Sequence, residues 1–188
     1  WIALYATTCA LQWNAAPVVA GMQFDTTTVG IMGIGILIGN MYGYFAETIN
    51  RMTLPHASRV MKDDASGESI TRNMIQIGRI IAIVQMGVLS TFAIFGQDFI
   101  KLWVGEEYNL AYTIALIMMV SWIVQQTQDY GNTLIEAKGR VRTMAIINFI
   151  SIFAGVIISY CVAPHYGIIG VIVSLAGGTI LATIANNV

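Results

Sequence analysis

Charge is what this sequence has least of. Only 10% of its 188 residues are Asp, Glu, Lys or Arg, while 56% are hydrophobic. Ordinary soluble domains carry about 25% charged residues. A soluble chain so poor in charge cannot coat its own surface, whereas a chain in a bilayer presents that surface to lipid. The net charge of −1 supplies no field that would gather nucleic acid. There are two cysteines, Cys9 and Cys161, each inside an apolar run. They read as small buried apolar residues, and no CxxC or Cys/His spacing points to a metal. Two histidines, His56 and His165, stand in separate hydrophilic breaks. The motifs GxSxG, HExxH and the P-loop are missing, so no catalytic constellation is expected, and neither is a cofactor. The opening, which begins at Trp1, lacks the basic region and cleavage site of a signal peptide. The chain is expected to be a piece of something longer.

What is present is a series of long apolar runs. Six can cross roughly 30 Å of hydrocarbon, which takes about 20 helical residues. They lie at about 2–19, 29–48, 78–103, 111–134, 144–162 and 168–184. The runs are continuous rather than alternating, which argues against a membrane barrel. Helices then satisfy every backbone group in lipid. The expected fold is an all-α integral membrane bundle of six helices in one domain.

The hydrophilic interval 51–77 is the longest break and reads as a loop. It contains Arg51, Arg59, Lys62 and Arg72, with Arg79 just beyond, and an acidic pair at Asp63 and Asp64. The pair reads as solvated, or less readily as the metal-binding pair of a lipid-linked transferase. The break at 136–143 adds Lys138, Arg140 and Arg142. Counting Arg79 at the edge of the first, these two breaks hold eight of the nine basic residues, and the alternate breaks hold only Lys101. Basic residues concentrate in cytoplasmic loops. Breaks 51–77 and 136–143 are therefore expected in the cytoplasm, with the Glu106–Glu107 and Pro164 turns outside the plasma membrane.

Polar residues within the runs are the candidate site. In the second run Gly35, Gly39 and Gly43 recur at steps of four, a spacing that lets another helix approach closely. The similar GIGILIG lies inside an apolar run without a preceding strand, so helix packing explains it better than nucleotide binding. Asn40 and Glu47 share the neighbouring flank. In the fourth run Gln125, Asp129, Asn132 and Glu136 recur at steps of four, three and four, and Gln128 flanks them. An ionised group deep in lipid costs about 2.5–3.5 kcal/mol or more. Such a face must look into protein or a wet cavity. It reads either as a transport pathway or ion-coupling site, or as inter-helix hydrogen bonding. Gln12 and Asn14 precede Pro17 in the first run, where the ring removes a helical hydrogen bond. Arg72 and Arg79 read as head-group anchors, or as contacts to a phosphate-bearing substrate at a cavity mouth.

Several short patterns together resemble one family. They are Thr28-Val29-Gly30 with Leu54-Pro55-His56-Ala57-Ser58-Arg59, and Phe99 through Gly105 followed by Tyr108. Asn132, Leu134 and Ala137-Lys138-Gly139-Arg140 continue the series, and Pro164-His165-Tyr166-Gly167-Ile168-Ile169-Gly170 closes it. Their order and spacing resemble the oligosaccharide flippase branch of the multidrug/oligosaccharidyl-lipid/polysaccharide exporter superfamily. The resemblance implies that this chain is the C-terminal half of a twelve-helix transporter. It implies export of polyprenyl-diphosphate-linked oligosaccharide by rocking of two halves. The implied partners are the N-terminal six-helix half, the lipid bilayer, a polysaccharide polymerase and a chain-length regulator. An ion-coupled multidrug antiporter of the same superfamily is the alternative, with Asp129 or Glu47 as the ion site. A lipid-linked membrane transferase ranks behind both.

Overall fold

The computed structural model describes the backbone of residues 1–62, 67–137 and 141–187, and side chains except at 2, 6, 46, 49–70, 73, 74, 129–131, 133–140 and 187. Nearly all of it is helix. The elements are α1 (Ile2–Gln23), α2 (Thr26–Lys62), α3 (Gly67–Trp103), a 3-10 turn at Glu106–Tyr108, α4 (Asn109–Ala137) and α5 (Val141–Asn187). Among the described residues, four stretches are long and apolar enough to cross a membrane: Thr26–Phe45, Ile75–Trp103, Glu106–Gln128 and Val141–Asn186. Helix α1 is not one of them. It carries Thr7, Thr8, Gln12 and Asn14, which dilute its apolar character.

The last two apolar runs are two helical arms, labelled together as α5, that meet at a sharp reversal. Gly167 has φ 62° and ψ −156° inside α5, a region essentially reserved for glycine. The two arms fold back on each other. A Cβ on Gly178 would lie 3.0 Å from the Ser151 carbonyl oxygen and 3.3 Å from the Gly155 Cα. Pro164 and Gly167 thus make the reversal, and paired glycines let the arms meet backbone to backbone.

The hydrophilic interval at 51–77 differs from its reading as a loop. Helix α2 continues through it to Lys62, and α3 starts at Gly67. Arg, Met, Lys, Leu and Ala within it are good helix formers, and hydrophilic side chains do not prevent a helix from continuing into water. Polarity marked where the apolar surface ends, which is not where the helix ends. At about 1.5 Å per residue, the 37-residue α2 is about 55 Å long, well beyond a 30 Å hydrocarbon layer. Residues 63–66 and 138–140, which include Asp63, Asp64, Lys138 and Arg140, lie outside the described residues.

Helix α4 is the hub, packing on α2, α3 and α5, while α1 lies mainly along α5. The glycine row sets the α2–α4 approach. An added Cβ would come within 2.7 Å of Ile114 at Gly35, 2.7 Å of Met118 at Gly39 and 2.5 Å of the Trp122 ring at Gly43. One apolar cluster joins Trp13, Ala16, Met32, Ile36, Ile114, Met118, Val171 and Ile172. A second joins Ile38, Tyr42, Ile100, Ala115, Met119 and Ile123. Hydroxyl and amide bonds tie neighbours together: Tyr42 Oη donates to the Gln85 carbonyl, Tyr112 Oη to the Ala93 carbonyl, and Gln23 Nε2 to the Tyr160 carbonyl.

Polarity is distributed the wrong way round for a protein in water. Leu102, Ile94, Phe95, Ile83 and Met22 are largely exposed, while Gln12, Gln85, Gln126, Ser121, Ser159 and Thr179 are buried. Cys9 and Cys161 form no disulfide with each other and are exposed, not buried as their apolar surroundings suggested. In this bundle an apolar neighbourhood in sequence marks the outer face as often as the core.

Candidate functional site

A cavity of about 290 Å³ opens among α1, α2, α4 and α5. Helix α1 contributes Tyr5, Cys9, Gln12 and Trp13, at steps of four, three and one, so that one face of α1 supplies the wall. Glu47 comes from α2. Helix α4 supplies Trp122, Gln125, Gln126 and Asn132. The two arms of α5 contribute Asn148 from one side and Thr183 and Asn186 from the other. Among the described residues, none of the lining comes from α3.

The cavity occupies one end of the bundle. The apolar clusters use residues such as Val19, Met32, Ile114 and Ile168, toward the 104–108 and Gly167 turns. The cavity walls use the opposite ends of the same helices, toward Ala137 and Val141. The glycine row links the two regions. At Gly43 the absent side chain leaves room for the Trp122 ring, which lines the cavity.

Hydrogen bonds position the amides. Gln12 Nε2 donates to Gln125 Oε1 at 3.0 Å, joining α1 to α4. Gln125 Nε2 donates back to the Ser121 carbonyl, and Gln126 Nε2 reaches the Gly43 carbonyl on α2, each at 3.4 Å. Asn148 Nδ2 donates to the Met144 carbonyl at 2.9 Å. Other polar atoms of the lining are buried without a partner: the indole Nε1 of Trp13 and of Trp122, and the Oδ1 of Asn132 and of Asn186. Leaving such groups unpaired costs about 1–3 kcal/mol each. Glu47, Gln126, Tyr5, Cys9 and Thr183 all have partners within the chain.

Of the residues singled out from sequence, Gln125, Asn132 and Glu47 line this cavity. Gln128 is half-buried on α4 with its Oε1 unpaired, outside the lining. Asn40 is half-buried on α2, also outside it. Asp129 continues the α4 stripe in register, and its side chain lies outside the described residues. Arg72 and Arg79 are exposed on α3 and are not among the lining residues. Sequence reasoning missed Tyr5, Trp13, Trp122, Gln126, Asn148, Thr183 and Asn186 as wall residues. Asn148 and Asn186 gave a signal, as amides inside or at the edge of apolar runs. The tryptophans gave none, because aromatic residues are ordinary core. Among the described residues, no group of three or more His, Cys, Asp or Glu side chains is placed to hold a metal.

The architecture is a helical bundle with long apolar helices, an apolar exterior and a polar chamber at one end. Compared with known proteins, the chain is 26% identical over 164 residues to the capsular polysaccharide biosynthesis protein CapF of Staphylococcus aureus. The match covers 86% of this chain and 41% of that protein, so the chain spans about two-fifths of its relative. No protein-family model matches the chain. No solved structure matches it either.

Proposed function

We propose that the chain is the C-terminal half of a plasma-membrane flippase that exports polyprenyl-diphosphate-linked oligosaccharide for cell-surface polysaccharide synthesis. The observation that carries this reading is the polar chamber walled by four helices inside an apolar exterior. Buried polar faces in lipid mark substrate pathways. The similarity to a capsular polysaccharide biosynthesis protein directs the choice of cargo toward glycans. The reading needs six spans: the two arms of α5 with α2, α3 and α4 would supply five, and the less apolar α1 would be the sixth. The basic breaks put the chamber end at the cytoplasm, where lipid-linked precursors would enter. A second six-helix half would close the chamber, and rocking of the halves would alternate its access. The protein is then a transporter and not an enzyme, with the polymerase and chain-length regulator as downstream partners.

The test uses the full-length protein in proteoliposomes loaded with fluorescent lipid-linked oligosaccharide. Protein-dependent loss of leaflet-restricted quenching supports the reading, and its absence at equal reconstitution overturns it. Topology is checked separately in a variant lacking Cys9 and Cys161. Arg72→Cys should react with an impermeant thiol reagent from the cytoplasmic side, and Tyr166→Cys from the outside. The reverse labelling would overturn the orientation.

A further inference from the structure

A cation stands at the rim of the chamber. Arg142 lies in the first turn of α5, and its guanidinium carbon sits over the Trp1 ring, 5.0 Å from the ring centre. Trp1, Tyr5 and Cys9 follow one another at steps of four on α1, and Tyr5 and Cys9 line the chamber. Each such step is about 6 Å along the helix. The Trp1 ring therefore extends the same wall one turn outward, at the end of the bundle where α4 stops and α5 begins. Resting on the flippase reading, we propose that Arg142, braced by Trp1, holds the diphosphate of the lipid-linked cargo at the cytoplasmic rim of this chamber.

The contact leaves the guanidinium ready for an anion. A cation over an aromatic face is held by the ring quadrupole and needs no hydrogen bond. Its N–H groups, a planar fork that matches two phosphate oxygens, remain for another partner. Among the described residues no carboxylate or carbonyl occupies them. Arg142 is exposed and Trp1 is 58% exposed, so a ligand can reach the pair from the aqueous side. In the sequence Arg142 closes a run of three cations in five residues, with Lys138 and Arg140. Arg72 and Arg79 are exposed too, but on α3, which supplies none of the described lining. The position suits the cargo. A diphosphate is the junction between lipid tail and glycan. Held at the rim, it leaves the tail in the bilayer and directs the glycan toward the chamber. A phospholipid head group carries one phosphate diester, and so offers this run of cations less charge to bind.

The experiment measures binding of a fluorescent farnesyl diphosphate, by anisotropy, to the full-length protein in phosphatidylcholine nanodiscs. Inorganic pyrophosphate and soluble dihexanoyl phosphatidylglycerol are the competitors, and all variants are compared at matched thermal stability. The probe should bind, and pyrophosphate should displace it far better than the phosphatidylglycerol does. Arg142→Gln should weaken binding by about ten-fold or more. Arg142→Lys, which keeps the charge and loses the fork, should recover only part of that loss. Trp1→Leu should weaken binding by about three-fold and Trp1→Phe by less, since a ring face remains. Arg72→Gln removes an equal charge from an exposed helix and should change binding by less than about two-fold. Failure of the probe to bind, unchanged binding in Arg142→Gln, or an equal loss in Arg72→Gln would overturn the proposal. Equal displacement by phosphatidylglycerol would make Arg142 a head-group anchor and overturn it as well. The proteoliposome assay separates the two claims. Probe binding that depends on Arg142, without translocation by the unaltered protein, refutes the flippase reading alone. Translocation that Arg142→Gln leaves unchanged refutes the diphosphate contact alone.

Discussion

Replacing Gly35 by alanine tests whether the α2–α4 approach holds the bundle together. An alanine Cβ there would stand 2.8 Å from the Ile114 Cβ and 2.9 Å from the Ala111 carbonyl oxygen. Comfortable carbon contacts lie near 3.5–4.0 Å, so the helices must part by about 1 Å locally. Neither neighbour can swing away, since one is a β-carbon and the other is backbone. Overpacking of this kind typically costs about 1–3 kcal/mol. Alanine also recovers the glycine penalty in a helix, about 0.8–1 kcal/mol, leaving a net loss of up to about 2 kcal/mol. Gly30 and Gly33 on the same helix have nothing within 4 Å of a built Cβ. Alanine there should only gain, by up to about 1 kcal/mol. The assay is equilibrium unfolding of the purified chain in mixed micelles, followed by tryptophan fluorescence. Opposite signs are expected at positions two residues apart. Equal effects at Gly33 and Gly35, or stabilisation at both, would refute the reasoning.

Other perturbations test other links. Gly167→Ala puts a side chain at φ 62° and ψ −156° and should destabilise the α5 reversal by about 1–3 kcal/mol, read in the same unfolding assay; no change would mean the reversal does not depend on that conformation. A double-mutant cycle over Gln12→Leu and Gln125→Leu should give a coupling of about 0.6 and at most about 1.7 kcal/mol, with zero coupling refuting the inter-helix bond. Gln85 is buried with both amide atoms unpaired; Gln85→Leu should therefore stabilise the bundle by about 1 kcal/mol or more, and a loss would reveal a partner for that amide. Asp25, ahead of α2, accepts a hydrogen bond from the Thr28 hydroxyl, which holds its carboxyl below the ordinary value of 3.8. A depressed folded value means stabilisation present above that ordinary value and lost as pH falls through the folded one. Thr28→Val should flatten the acid limb of a stability-against-pH curve below about pH 4, and an unchanged limb would count against the bond.

The sequence by itself determined the class of structure. Scarce charge and continuous apolar runs leave helices as the way to satisfy the backbone, because that argument depends on composition and run length alone. It also marked the packing edge of α2, since residues four apart share a helix face whatever surrounds them. Gln125, Asn132 and Glu47 stood out because a polar side chain in an apolar run must be accommodated somewhere. Tertiary structure decided the rest. Hydrophilic residues after Arg51 proved helical, because polarity reports contact with water and not backbone conformation. The fifth and sixth runs proved to be two helical arms joined at a reversal, which rests on a single backbone conformation at Gly167. Gln12 met Gln125 across 113 residues of chain, and Trp13 and Trp122 joined Asn148 and Asn186 around one chamber. Periodicity places a residue on a face of its own helix. Which faces meet depends on how helices pack, and the chamber exists only where four of them do.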